Sequence, residues 1–292
     1  MPANLDQLLN LLDLEEIEVG LFRGHQPVTK MQRAFGGQVL GQALVAGSRT
    51  VGDDRHLHSL HAYFLLPGRT DIPMIYDTEI TRDGRSFSTR RVVARQGGRV
   101  IFTASMSFHV HEEGLDHADP GRLEVPPPED CPPLSEAMGR SAERDEEWKR
   151  EFGVLEVRYI GSNRESAAPS NAPHPAGQRF WVRVPGMPDG PHLHEAALAY
   201  LSDLTLLSAA TVPHSLTIGQ RSLAAASLDH TMWFHRPFNA GEWLLYDQIS
   251  PSASRGVGLS FGMLFQEGRL VASVAQEGLL RLTNKQPPSR DD

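Results

Sequence analysis

A carboxylate inside an apolar run is the first residue of this chain with chemical potential. Asp203 lies within His194 to Ala210, where leucine and alanine recur on every face. If the run is one helix, the same-face neighbours of Asp203 are Ala199, Tyr200, Leu206 and Leu207. Burying a carboxylate among them is costly unless donors reach it. Burial raises its pKa, and donors to the ionised form lower it. Such a group suits a general base for water, and it equally suits a structural hydrogen-bond acceptor.

Other residue types invite chemistry and are weighed in the same way. Gly258-Leu-Ser-Phe-Gly262 fits G-x-S-x-G. That motif needs a strand, an elbow and a helix, with an acid and then a histidine after the serine. Here the flanks read as one strand leading into a hairpin, and no histidine follows His235. Ser260 is therefore not a hydrolase nucleophile. His58, His61, His230 and His235 read as packed, hydrogen-bonded histidines rather than catalysts, with His58 retained as a candidate substrate contact. Arg82, Arg85, Arg90, Arg91, Arg95 and Arg99 crowd one hairpin. Arg85, Arg90 and Arg91 are the candidates there for meeting phosphates, against a solvated strand face. Gly36-Gly37 precedes a helix and permits close backbone approach, either to an oxyanion or for packing. Cys131, the only cysteine, sits among prolines and reads as inert.

The elements that position these residues repeat. A shift of 170 residues lays Phe64 on Phe234, Pro67 on Pro237, Tyr76-Asp77 on Tyr246-Asp247 and Arg85 on Arg255. The same shift lays Gln96, Gly98 and Arg99 on Gln266, Gly268 and Arg269. The chain divides into a first unit at 1–113, a proline-rich and charged connector at 114–150, a second unit at 151–283 and a polar tail at 284–292. Each unit opens with a short strand, Glu18 to Gly24 and Leu155 to Gly161. A helix follows, Gly37 to Gly47 and His194 to Ala210. Three or four strands come next, opened by Tyr63-Phe64 and Trp233-Phe234 ahead of a proline. The clearest are Glu242 to Ser250, Val257 to Gln266 and Arg269 to Leu280, the last two joined at Gln266-Glu267-Gly268. Ser162 to Gly177 reads as a loop, and Glu143 to Glu151 as a short solvated helix. A helix apolar all round is buried, so each sheet wraps its helix in an α+β architecture.

Composition narrows the partners. With 292 residues, 40% of them apolar and a formal net charge of −8, the chain is large enough for a substantial core. Its charge argues against nucleic acid or an anionic membrane as the main partner. Met1 to Glu16 lacks the pattern of a signal peptide, and no long charge-free apolar stretch predicts stable membrane anchoring. A cytoplasmic location is the expectation.

Several motifs together resemble the acyl-CoA thioesterase II family of the TesB type. They are Phe35-Gly-Gly-Gln-Val-Leu-Gly-Gln42, His58-Ser-Leu-His-Ala-Tyr-Phe64, Arg82-Asp-Gly-Arg-Ser-Phe87, Ser227-Leu-Asp-His-Thr-Met-Trp-Phe-His-Arg-Pro-Phe238 and Ala275-Gln-Glu-Gly278. The resemblance implies a double hotdog fold, acyl-CoA substrates, and neither a metal nor an organic cofactor. It carries the family's catalytic set onto Asp203, Ser227 and Gln276, with Asp203 as base and the other two positioning the water. Fatty acyl-CoA hydrolysis is the expected activity, and a homo-oligomer, dimer or tetramer, the expected assembly. A hotdog-fold enoyl-CoA hydratase and a non-catalytic acyl-CoA-binding regulator are the alternatives. Asp53 and His58 have the D-x4-H spacing of hotdog hydratases without the rest of their pattern. The first unit offers Gln42, Leu57 and Met106 where the second offers Asp203, Ser227 and Gln276. One catalytic site per chain is therefore expected, with the first unit supplying binding surface.

Overall fold

Turn chemistry sets the register of the repeat. Gly97-Gly98 and Glu267-Gly268 take left-handed φ values of 53°, 77°, 49° and 77°. Two consecutive positive φ angles make the tight turn whose twist matches an antiparallel hairpin. The computed structural model describes residues 1–118, 121, 124–139, 141–162 and 176–283. The tail at 284–292 lies outside these, as do 163–175 of the expected loop and parts of the connector.

In chain order the first half runs α1 (Leu5–Leu12), β1 (Glu15–Glu18), β2 (Leu21–Gly24), α2 (Gly36–Ser48), β3 (Arg55–Phe64), β4 (Met74–Asp83), β5 (Phe87–Gln96) and β6 (Arg99–Val110). The connecting segment carries α3 (Leu134–Ala137) and α4 (Ala142–Phe152). The second half runs β7 (Glu156–Ser162), β8 (Ala176–Arg183), α5 (Leu193–Ser202), a 3-10 segment (Leu206–His214), β9 (Leu223–Ser227), β10 (Asp229–Phe234), β11 (Leu244–Ser254), β12 (Val257–Gln266) and β13 (Arg269–Leu282).

All described strands join one antiparallel sheet ordered β1-β2-β4-β5-β6-β3-β10-β13-β12-β11-β8-β7, with β9 added on β13. The order reads the same outward from its centre, where β3 meets β10. His61 pairs there with Thr231, which stands 170 residues later, so the sheet's pseudo-twofold passes through the shift found in the sequence. The double hotdog α+β fold is the observed one. Helices α2 and α5 lie against each other inside it. Gly37 allows the crossing, because a Cβ there would come within 2.1 Å of the Tyr200 carbonyl.

Several local expectations change. The strand expected at Glu18 to Gly24 is a hairpin, β1 and β2, turning at Gly20 with φ 77°. Tyr63-Phe64 and Trp233-Phe234 close strands rather than open them, consistent with the prolines that follow being unable to donate to a ladder. The helix expected through Ala210 ends at Ser202. Helix α1 was not anticipated; Asn4 caps it by accepting from the Gln7 amide. Helix α4 is not merely solvated, since Glu151 is buried and Trp148 and Phe152 pack on the core. Leu193–His214 is apolar and long enough to cross a membrane, but it is broken at Asp203–Thr205 and mostly buried.

Candidate active site

The break after Ser202 places Asp203. Helix α5 gives way to a turn at Asp203–Thr205 because polar side chains claim its backbone. Ser202 Oγ donates to the Ala199 carbonyl at 3.0 Å and the Tyr246 hydroxyl to the Ser202 carbonyl at 3.0 Å. Asp203 thus caps the C-terminus of α5 rather than sitting on the flank of a longer helix. A carboxylate at a helix C-terminus faces an unfavourable dipole, whereas a helix N-terminus favours it. The N-terminus that reaches it belongs to the other half, where the Gly37 N–H of α2 donates to Asp203.

Around this carboxylate the second half closes a tight set. Ser227, the last residue of β9, donates from Oγ to Asp203 Oδ1 at 3.1 Å. Gln276 on β13 donates from Nε2 to Asp203 Oδ1 at 2.6 Å and to Ser227 Oγ at 2.8 Å. The Asp203 side chain is only 4% exposed. Burial pushes its pKa up to about 6, against the lowering pull of the Gln276, Ser227 and Gly37 bonds. His230, fully buried on β10, has its Nδ1 3.8 Å from Asp203 Oδ1 and its Nε2 2.9 Å from Ser202 Oγ. Burial lowers its pKa to about 3, so near neutral pH the contact is a neutral imidazole beside a carboxylate and not an ion pair.

A cavity of about 810 Å³ opens onto this set. Asp203, Ser227 and Gly36 lie on its wall, whereas Gln276 is fully buried behind them. Its lining is mostly apolar and comes from both halves and from the connecting segment. Phe35, Phe64 and Phe102 come from the first half, Leu134, Trp148 and Phe152 from α3 and α4, and Phe180 and Leu207 from the second. Trp148 and Phe152 rings stand 5.0 Å apart, Phe152 meets Phe35 edge-on at 5.4 Å, and Phe35 meets Tyr200 at 5.3 Å. Glu151 ties α4 down, accepting from the Met1 amino group at 3.0 Å, Thr29 Oγ1 at 2.6 Å and the Lys30 amide at 3.1 Å. This wall went unread in the sequence. Trp148 and Phe152, four apart on a charged helix, were its available signal.

The remaining candidates are not brought to this place. Arg90 is 2% exposed, and its donors go to Thr50 Oγ1 and carbonyl, the Arg82 and Thr89 carbonyls and Asp83. It pins the end of α2 to a hairpin, and burial keeps its guanidinium from a phosphate. Arg91 is exposed and pairs with Glu79 at 3.5 Å. Arg85 lies at the β4–β5 turn, away from the cavity lining. His58 faces Ser107 Oγ at 2.8 Å and the Phe87 and His109 rings, and does not line the cavity. The arginine on the wall is Arg33, which is exposed. In the first half, Gln42 donates to the Leu11 and His25 carbonyls and accepts from Tyr76. Those bonds are structural. Cys131 is buried, with its thiol pKa raised first by burial. Among the described residues no cluster of histidine, cysteine and acidic side chains could hold a metal ion.

Residues 164–279 match the acyl-CoA thioesterase family, and residues 25–109 match the acyl-CoA thioesterase N-terminal domain. The chain is 36% identical to "Acyl-CoA thioesterase 2" of Haemophilus influenzae, covering 97% of this chain and 100% of that one. It is 36% identical to "Acyl-coenzyme A thioesterase 8" of Homo sapiens, over 96% and 91% of the two chains. Among solved structures it resembles an acyl-CoA thioesterase II, TesB2, of Mycobacterium marinum. That likeness has a TM-score of 0.79 and 42% identity, covering 96% of this chain and 99% of the other.

Proposed function

This chain belongs to the acyl-CoA thioesterase family and hydrolyses acyl-CoA thioesters, and we propose that a water activated by Asp203 does the chemistry on a fatty acyl group held in the cavity. The single observation that supports this reading is the Asp203–Ser227–Gln276 set at the wall of an apolar cavity. The water attacks the thioester carbonyl carbon and gives its proton to Asp203. The tetrahedral oxyanion collapses, the carbon–sulfur bond breaks, and the thiolate leaves as coenzyme A after taking that proton. Ser227 holds the water, and Gln276 fixes both partners from behind. The Gly36 amide at the start of α2 is the candidate oxyanion donor, because the Gly37 amide goes to Asp203 and the Gln38 and Val39 amides to the Phe35 carbonyl.

Cavity size and composition suit a lipid tail, since small-ligand clefts span about 300–1,000 Å³. The test is thiol release from an acyl-CoA series of rising chain length, which is expected without added metal. Trp148→Ala opens the α4 wall and is expected to shift the preferred length upward, with kcat on short chains little changed. No release at any length would leave only a binding role, and an unmoved preference would take α4 out of substrate selection.

We propose in addition a homo-oligomer associating through the outer sheet face, where Tyr63, Trp233 and Phe261 are exposed. Sedimentation should give a dimer or larger species, and a strictly monomeric, fully active protein would refute that assembly.

A further inference from the structure

The G-x-S-x-G run has no elbow, yet its serine lies beside the reactive set. Ser260 is on β12, directly paired with Gln276 on β13. Directly opposed residues of an antiparallel pair point to the same face, with Cβ atoms about 4.5–5.5 Å apart. Both side chains are 0% exposed. Ser260 Oγ and Gln276 Oε1 are each buried without a hydrogen-bond partner. Two orphaned polar atoms on facing positions, one a donor and one an acceptor, call for a physical reason.

The flanking glycines are explained by packing. A Cβ on Gly258 would lie 2.8 Å from the Ala210 side chain, and one on Gly262 would lie 2.4 Å from the Tyr246 ring. A Cβ on Gly278 would lie 2.2 Å from Leu207. The 3-10 segment and Tyr246 therefore press onto this patch and keep bulk water from it. A serine costs free energy in such a slot unless its hydroxyl is used.

We propose that Ser260 is a positioning residue for Gln276. Its hydroxyl donates to Oε1, by rotation about its own side chain or through one bridging water. That bond holds the amide with Nε2 toward Asp203 and Ser227. In the flipped orientation Oε1 would face the Asp203 carboxylate, acceptor against acceptor. The inference rests on the proposed reading in which Gln276 orders Asp203 and Ser227.

The experiment is a double-mutant cycle on the full chain with Ser260→Ala and Gln276→Ala, following kcat, KM and Tm. Ser260→Ala removes one buried atom and leaves the fold intact. It is expected to lower kcat about 10-fold, the effect of one hydrogen bond, with KM nearly unchanged. In the Gln276→Ala background the same change is expected to cost nothing further, because there is no amide left to orient. Unchanged kcat in Ser260→Ala, or losses that multiply in the double variant, would overturn the proposal while Gln276 keeps its role. Full activity in Gln276→Ala would instead sink the reading beneath it.

Discussion

Asp203→Asn is expected to lower kcat by about 100-fold or more while the protein becomes more stable. The substitution keeps the shape and one acceptor oxygen for Ser227 and Gln276 but removes the group that takes the proton, a contribution typically of about 10²–10⁴-fold. The stability effect follows from linkage. Burial raises the carboxyl from 3.8 to about 6, so the folded state binds this proton more tightly than the unfolded state. Stability due to Asp203 is then highest below pH 3.8 and falls as pH rises through about 6. Near neutral pH the buried charge costs on the order of 3 kcal/mol, and Asn removes that cost.

The gain in Tm should therefore be largest above pH 6 and fade toward pH 4. His230 acts with the opposite sign. Its lowered pKa contributes stability that is lost as pH falls from 6.5 toward about 3. Activity of the wild type should fall on the acid side of about pH 6, where Asp203 is protonated. Thermal melts across pH, together with kcat, check both halves. Near-normal kcat in Asp203→Asn would remove Asp203 as base.

Gly36→Ala is expected to lower kcat by about 100-fold although Gly36 belongs to the first half. A Cβ there would lie 2.5 Å from Asp203 Oδ2 and 3.1 Å from the Phe64 ring. The carboxylate is the far end of a short side chain, so it gives way while the backbone holds. A displacement of about 1 Å at a reacting group can cost about 10²-fold. Folding should survive, because the clash is with side-chain atoms. At Gly37, by contrast, an added Cβ would strike the Tyr200 carbonyl at 2.1 Å. The informative comparison is Gly36→Ala alone and combined with Asp203→Asn. Loss in the first and no further loss in the second places the defect at Asp203. An unaltered kcat in Gly36→Ala would return the first half to a purely binding role. A loss in Gly36→Ala would tie the single site of the second half to the turn that opens α2, while Gln42, Leu57 and Met106 supply no base.

The sequence by itself determined the repeat and the fold class, and through its family resemblance it named Asp203, Ser227 and Gln276 as the candidates. Strand alternation, glycine turns and helices apolar on every face are local patterns, and a shared shift of 170 carries them between halves. Asp203 stood out because a carboxylate among leucines must find donors. Tertiary structure decided who those donors are. The Gly37 amide comes from a helix more than 160 residues away in sequence, brought in by the α2–α5 crossing. The pairing of Ser260 with Gln276, the burial of Arg90 and the placing of α4 against the cavity were likewise settled by packing. Sequence spacing reports which face of one element a residue occupies. It does not report which other element covers that face, and the free energy of a buried polar group depends on that partner.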